Sequence, residues 1–152
     1  MKTLLSLFLL ISFTASAQKL DRKQMYAYSD TVEFRIYSIQ KSRTADRNQE
    51  IFVAEKGQRF FTIVFEFKNK SSEAQIIDFE KIFIKDKNGN LHQVDLVVMS
   101  MKLTSSIKKF QQKLKANKKR KIIAQFIPPL PKKELIKTLV IDGNEVELKY
   151  NE

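Results

Sequence analysis

Apolar and polar side chains alternate with a period of two along several stretches of this chain, a pattern typical of half-buried β-strands. The clearest stretch is residues 59–68, which we expect to be the central core strand. Its apolar face consists of Phe61, Ile63, Phe65 and Phe67. Residues 31–40 repeat the pattern, with an apolar face of Val32, Phe34 and Ile36.

Shorter apolar stretches predict further strands, and turn residues separate them. Asn88-Gly89 and Asp142-Gly143-Asn144 are hairpin signals, because these residues tolerate positive φ. Short connections of this kind imply antiparallel pairing. The additional predicted strands are residues 51–53, 74–79, 81–85, 91–98, 121–127, 138–141 and 145–150.

Three segments depart from the alternation. Residues 41–50 carry no large apolar side chain and predict a loop, and prolines at 128, 129 and 131 are expected to end the strand that begins at Lys121. Residues 103–115 predict one short helix instead of a strand. The helical spacing is that of Leu103, Ile107, Phe110 and Leu114.

The first 17 residues predict a signal peptide. Lys2 precedes an apolar run of about ten residues, too short for the ~20 that span a bilayer. Ala15-Ser16-Ala17 is a small-x-small cleavage pattern, so the mature chain is expected to begin at Gln18 and to be exported, periplasmic or secreted. An N-terminal membrane anchor is the alternative. Residues 18–30 are polar with scattered aromatic side chains and predict an N-terminal tail.

Composition narrows the chemistry. The chain has 152 residues, and residues 31–150 are enough for one domain. It has no cysteine and a single histidine, His92, so disulfides, thiol nucleophiles and thiolate zinc sites are excluded. His92 shares a strand face with Val94 and predicts packing at the core edge. We therefore expect no enzyme activity, no metal and no cofactor.

Positive charge is concentrated in one segment. Between Lys102 and Lys137 there are twelve basic residues and only Glu134 opposes them, in a chain of net charge +11. Such a block attracts anions, although a charge run is often just a solvated face. It contains mostly lysines and few aromatic side chains, which disfavours specific nucleic-acid recognition. The candidate anion-binding residues are Lys108, Lys109, Lys113, Lys115, Lys118, Lys119, Arg120 and Lys121.

The order of several landmarks resembles an immunoglobulin-like domain of unknown function found in small exported bacterial proteins, sometimes labelled telomeric repeat-binding factor-like. The landmarks are residues 32–36, Gly57, residues 61–67, Asn69-Lys70-Ser71, Asn88-Gly89 and Phe126-Ile127-Pro128. The resemblance covers residues 31–150 and implies an antiparallel immunoglobulin-like β-sandwich that serves as a binding or accessory module. The chain departs from that pattern at Ala116-Asn117, where such domains often have Pro-Gly, and in the lysine-rich insert 103–115.

Two functional hypotheses follow. The first is an exported, non-enzymatic immunoglobulin-like module that binds another envelope or secreted component, through an exposed sheet face or edge where that component is a protein. The alternative is an electrostatic binder of anionic envelope polymers, glycans or lipid headgroups through the Lys102 to Lys137 block. No second apolar stretch approaches spanning length, so no transmembrane span is expected after cleavage.

Overall fold

The computed structural model describes residues 19–47, 50–99 and 110–151. The predicted signal peptide lies outside these residues. The described part contains the strands β1 Lys19–Leu20, β2 Tyr26–Ala27, β3 Val32–Ser42, β4 Thr44–Arg47, β5 Glu50–Val53, β6 Gln58–Asn69, β7 Gln75–Asp78, β8 Ile82–Lys85, β9 Leu91–Met99, β10 Gln111–Leu114, β11 Lys119–Pro131, β12 Thr138–Ile141, β13 Asn144–Glu147 and β14 Tyr150–Asn151.

Eight strands form one antiparallel sheet in the order β13-β12-β8-β9-β11-β6-β3-β2. The remaining strands form three antiparallel pairs: β7 with β10, β4 with β5, and β1 with β14. The predicted antiparallel β fold is therefore confirmed. The hairpin signals are confirmed as well, since Gly89 and Gly143 have φ of 86° and 82° between paired strands.

The core lies on one face of β6, as the alternation predicts. Phe61, Ile63, Phe65 and Phe67 are all 0% exposed. The ring of Phe79 packs edge-on against Phe67, with centroids 5.9 Å apart. Strands near both ends of the large sheet contribute to this same core, with Phe34 and Ile36 from β3 and Leu139 and Ile141 from β12. Two layers thus enclose one apolar interior, the arrangement of a β-sandwich.

The helix predicted near 103–115 is wrong where it can be compared. Gln111–Leu114 is strand β10, and the described part contains one short helix elsewhere, the 3-10 turn Phe79–Lys81. Residues 101–109 lie outside the described part. All four residues of β10 pair in register with β7, and Gln112 is 3% exposed although polar. Because one of the two buried residues of β10 is a polar glutamine, the sequence does not show an apolar alternation there. The pairing with β7 stabilises the strand.

Two other local predictions need correction. Most of the loop predicted at residues 41–50 is the end of β3 and a hairpin of β4 and β5, a pairing that short polar stretches do not reveal. Pro128 and Pro129 do not end β11 either. This strand continues to Pro131, and its register with β6 shifts between Phe126 and Leu130. The shift takes Pro128 and Pro129 out of the regular ladder, to which they cannot donate, whereas Pro131 lies opposite Gln58 at the end of the strand.

Residues 19–30 contribute to the packed fold. Tyr26 is 8% exposed, and its ring lies 5.4 Å from that of Phe34. The Tyr26 hydroxyl accepts a hydrogen bond from the Lys149 amide at 2.8 Å, and the Asp21 amide donates to the Lys149 carbonyl at 2.9 Å. Within the described residues, no helix is long and apolar enough to cross a membrane.

Candidate functional site

A tight turn joins β10 to β11 and carries part of the predicted basic surface. The Lys118 amide donates to the Lys115 carbonyl at 3.3 Å, and Asn117 adopts a φ of 52°. Asparagine tolerates this left-handed conformation better than most residues. The Asn117 amide also donates to the Ser71 carbonyl at 3.0 Å, which fixes the turn against the segment that follows β6.

Asn69, the last residue of β6, holds this turn in place. It is 1% exposed. Its side-chain Nδ2 donates to the carbonyls of Glu73 at 2.7 Å, Leu114 at 3.4 Å and Lys115 at 3.2 Å. Its Oδ1 accepts from the amide and the hydroxyl of Ser71 at 2.9 and 3.0 Å. One buried amide side chain therefore joins the loop after β6 to the end of β10.

Six of the eight candidate residues surround this turn, and we call them the basic end. They are Lys113, Lys115, Lys118, Lys119, Arg120 and Lys121. Lys113 and Lys115 are exposed because they alternate with the buried Gln112 and Leu114. Their outward orientation thus follows from a strand and not from a helix. Lys108 and Lys109 lie outside the described residues.

Contacts within the basic end leave its charge available. Arg120 donates through Nη1 to the Lys113 carbonyl at 3.2 Å, and Lys121 Nζ lies 3.5 Å from the centroid of the Tyr37 ring. Among the described residues, none of the six forms an ion pair.

Glu33 on β3 and Glu66 on β6 bind cations outside the basic end. Glu33 forms ion pairs with Lys70 and with Lys68, the latter at 3.3 Å. The hydrogen bond from Lys70, with that from Lys68, outweighs the effect of burial and lowers the pKa of Glu33. Glu66 binds Arg35 at 2.8 Å. Both acids thus already have cation partners outside the basic end, which leaves the basic end with a local positive excess.

His92 is 5% exposed on the core face, as predicted, and its partner is Asp86. Its Nδ1 lies 2.8 Å from the Pro128 carbonyl oxygen, and its Nε2 lies 3.3 Å from Asp86 Oδ2. Burial disfavours the charge on Asp86, but hydrogen bonds from Asn90, His92 and Asn88 outweigh it and lower the pKa of Asp86 to about 2. The sequence offered no periodic signal for this pair, because a hairpin turn separates the two residues.

The described residues contain no group of three or more histidine and acidic side chains that could hold a metal ion. Asp78, the last residue of β7, caps the 3-10 helix by accepting a hydrogen bond from the Glu80 amide at 3.1 Å. Its place in the structure is therefore that of a capping residue.

Two solved structures share this fold. An uncharacterised β-sandwich protein from Clostridium difficile 630 matches with a TM-score of 0.53 and 14% identity, over 84% of this chain and 90% of the other. A conserved hypothetical protein from Bacillus anthracis matches with a TM-score of 0.55 and 14% identity, over 88% of this chain and 96% of the other. At this identity the likeness shows the β-sandwich fold alone. No family model and no curated protein matches the chain.

Proposed function

We propose that this protein is an exported, non-enzymatic immunoglobulin-like module that binds an anionic component of the cell envelope through its basic end. The observation that carries the proposal is the group of six basic side chains around one turn, none of them ion-paired within the described part of the chain. Clustered, unneutralised cations create a positive potential that attracts phosphate, sulfate and carboxylate groups.

The local structure also supports a fixed surface. The Asn69 side chain binds the Leu114 and Lys115 carbonyls before the turn, and the Asn69 amide donates to the Lys118 carbonyl after it at 2.9 Å. The lysine Cα atoms are therefore positioned before any ligand arrives. Pre-organised cations lose less conformational entropy on binding than a flexible tail does. Lysines are point charges without the planar fork of arginine, which fits recognition of many spaced anionic groups instead of one defined base.

The test is adsorption to heparin and to phosphatidylglycerol vesicles, with phosphatidylcholine vesicles as the neutral reference. Replacing Lys113, Lys115, Lys118 and Lys119 with glutamine should weaken adsorption about tenfold at low salt and reduce its salt dependence. A matched variant that replaces the exposed Lys23, Lys56, Lys133 and Lys149 removes the same charge elsewhere. It should adsorb nearly as well as the parent. Equal loss in both variants, or no adsorption by the parent, contradicts the proposal.

A protein partner is the second candidate, and strand β5 favours it. Ile51 and Val53 are 71% and 60% exposed, and within the described residues β5 pairs with β4 only. An exposed apolar edge of this kind can accept an added strand from another protein. Capture from an envelope extract distinguishes the candidates. A protein partner bound at β5 should remain at high salt and be lost in Val53→Glu, whereas an anionic polymer should be released by salt.

A further inference from the structure

A cavity of about 250 Å³ opens near the C-terminal end of β3, where β1, β3 and the segment before β12 meet. We propose that it binds a small amphiphilic anion, namely a carboxylate attached to a short alkyl or aryl body. The residues that matter for this assignment are the cations Lys19, Arg22 and Lys41 and an apolar floor of Leu20, Ile39, Phe61, Leu135 and Ile136.

The rim is positively charged. Lys19, Arg22 and Lys41 line the cavity, and within the described part of the chain none of them forms an ion pair. Glu134 is the only acidic residue of the lining. It is 6% exposed, and its Oε1 accepts a hydrogen bond from the Lys87 amide at 3.0 Å. An entering anion therefore meets three cations and one carboxylate that is already engaged.

Lys41 is held in position by the fold. Its Nζ donates to the carbonyls of Lys132 at 3.0 Å and Glu134 at 2.8 Å, and it lies 4.7 Å from the centroid of the Phe61 ring. An ammonium group has three hydrogens, so one remains for a ligand. Burial lowers the pKa of Lys41, and the charge of Glu134 offsets this only in part. A carboxylate beside Nζ would favour the charged ammonium and gain a charge-assisted hydrogen bond.

The floor is apolar. Phe61 and Ile136 are fully or almost fully buried there, and Leu135 is 36% exposed at the mouth. Tyr150 also lines the cavity, and its hydroxyl donates to the Ile136 carbonyl. Burial raises the pKa of Tyr150 to about 12, so this wall stays uncharged at neutral pH. The volume is just below the ~300–1,000 Å³ of pockets for drug-sized ligands, which limits the ligand to a short body.

Titration calorimetry of the purified protein with sodium octanoate tests the assignment. We expect one saturable site with a Kd of about 1 mM or tighter, given ten non-hydrogen atoms in the ligand. Butanoate, octylammonium and inorganic phosphate should each bind at least about tenfold more weakly, because each lacks either the apolar body or the negative head. A Kd for octanoate above about 10 mM overturns the proposal, as does equal binding of octylammonium or phosphate.

Variants locate the site. Arg22→Gln and Lys41→Gln should each raise the octanoate Kd about fivefold or more. Leu135→Ser should reduce the preference for octanoate over butanoate. Lys56→Gln removes an equally exposed lysine outside the cavity and should leave the Kd unchanged. Urea titrations verify that each variant is folded, and Arg22 keeps the test valid if Lys41→Gln fails to fold. Equal weakening by Lys56→Gln overturns the site.

The basic end is a separate surface. Lys119 of the basic end lies opposite Lys68 on β6, and Lys68 lies opposite Glu33 on β3. Glu33 is eight residues from Lys41 of the cavity on the same strand, roughly 26 Å at the rise of an extended strand. The fourfold glutamine variant of the basic end should therefore keep the octanoate affinity of the parent. In the parent, octanoate binding without heparin adsorption contradicts the function proposed for the basic end, and heparin adsorption without octanoate binding contradicts the cavity proposal. Loss of octanoate binding in the folded fourfold variant contradicts the separation of the two sites.

Discussion

Single buried polar side chains hold the exposed surfaces of this protein in place. Asn69 satisfies three carbonyl groups and accepts two hydrogen bonds at one corner of the sandwich. At the Asn88-Gly89 hairpin, Asp86 accepts hydrogen bonds from the Asn88 amide and from His92. Such groups cost little while satisfied, but removing one partner leaves others buried and unpaired. The effect of a substitution therefore depends on how many buried partners it leaves without a hydrogen bond.

Asn69→Ala should lower the free energy of unfolding by about 2–3 kcal/mol, because carbonyls near the basic end lose their donor. Urea denaturation measures this. Asn88→Ala, an exposed asparagine in a turn, is the matched control and should change stability by less than about 0.5 kcal/mol. A similar small effect at Asn69 would mean that the turn is held by its backbone alone.

Stability should depend on Asp86 in acid. The folded pKa of about 2 lies below the ordinary 3.8, so ionised Asp86 stabilises the fold above about pH 4. That contribution is lost as the pH falls from about 4 towards 2. Asp86→Asn should be less stable than the parent at pH 6, and the difference should shrink over this interval. Asp142→Asn, at an exposed carboxylate, serves as the control. A constant difference from pH 6 to pH 2 would exclude this linkage.

At the scale of elements, β6 tests the alternation most directly. Phe65 contacts the rings of Phe34, Phe67 and Phe79 in the core. Phe65→Ala should therefore cost about 3–5 kcal/mol of unfolding free energy through lost burial and a residual cavity. Val64→Ala, on the opposite face of the same strand, should cost about 1 kcal/mol or less. A cost below about 1 kcal/mol for Phe65→Ala would contradict a buried central strand.

The elements differ in how far the sequence predicts them. β6 was predictable because four large apolar side chains repeat at a period of two and no other period fits them. β10 was not, because the spacing of Phe110 and Leu114 also suits a helix and the buried residue between them is a glutamine. Only its pairing with β7 resolves that ambiguity, and pairing between distant segments is not encoded in local periodicity.

The candidate sites show the same division. Exposure of Lys113 and Lys115 was predictable from their charge, since lysine is rarely buried. The cavity beside Lys41 was not predictable, because its walls come from segments as distant in sequence as Leu20, Phe61 and Ile136. The Asp86–His92 contact likewise depends on how one hairpin folds back. Local chemistry predicts which side chains face solvent, whereas long-range pairing decides which of them meet.

At the scale of the whole molecule, the N-terminal sequence predicts cleavage of a signal peptide. The exported protein should begin at Gln18, because Ala15-Ser16-Ala17 follows a short apolar run. Intact mass and N-terminal sequencing of exported material measure this directly. Changing Ala15 and Ala17 to bulky residues should block cleavage. Exported protein that retains residues 1–17 would contradict the prediction.

The pairing of β1 with β14 has a consequence for how the chain acquires its structure during synthesis. Leu20 pairs with Tyr150, and Tyr26 and Asp21 both form hydrogen bonds with the Lys149 backbone. A ribosome synthesises β1 long before it reaches β14. The nascent chain therefore keeps β1 unpaired until β14 has been synthesised, and so many non-local contacts favour slow folding. The cavity beside Lys41, which is lined by both Leu20 and Tyr150, cannot be complete before β14 has been synthesised.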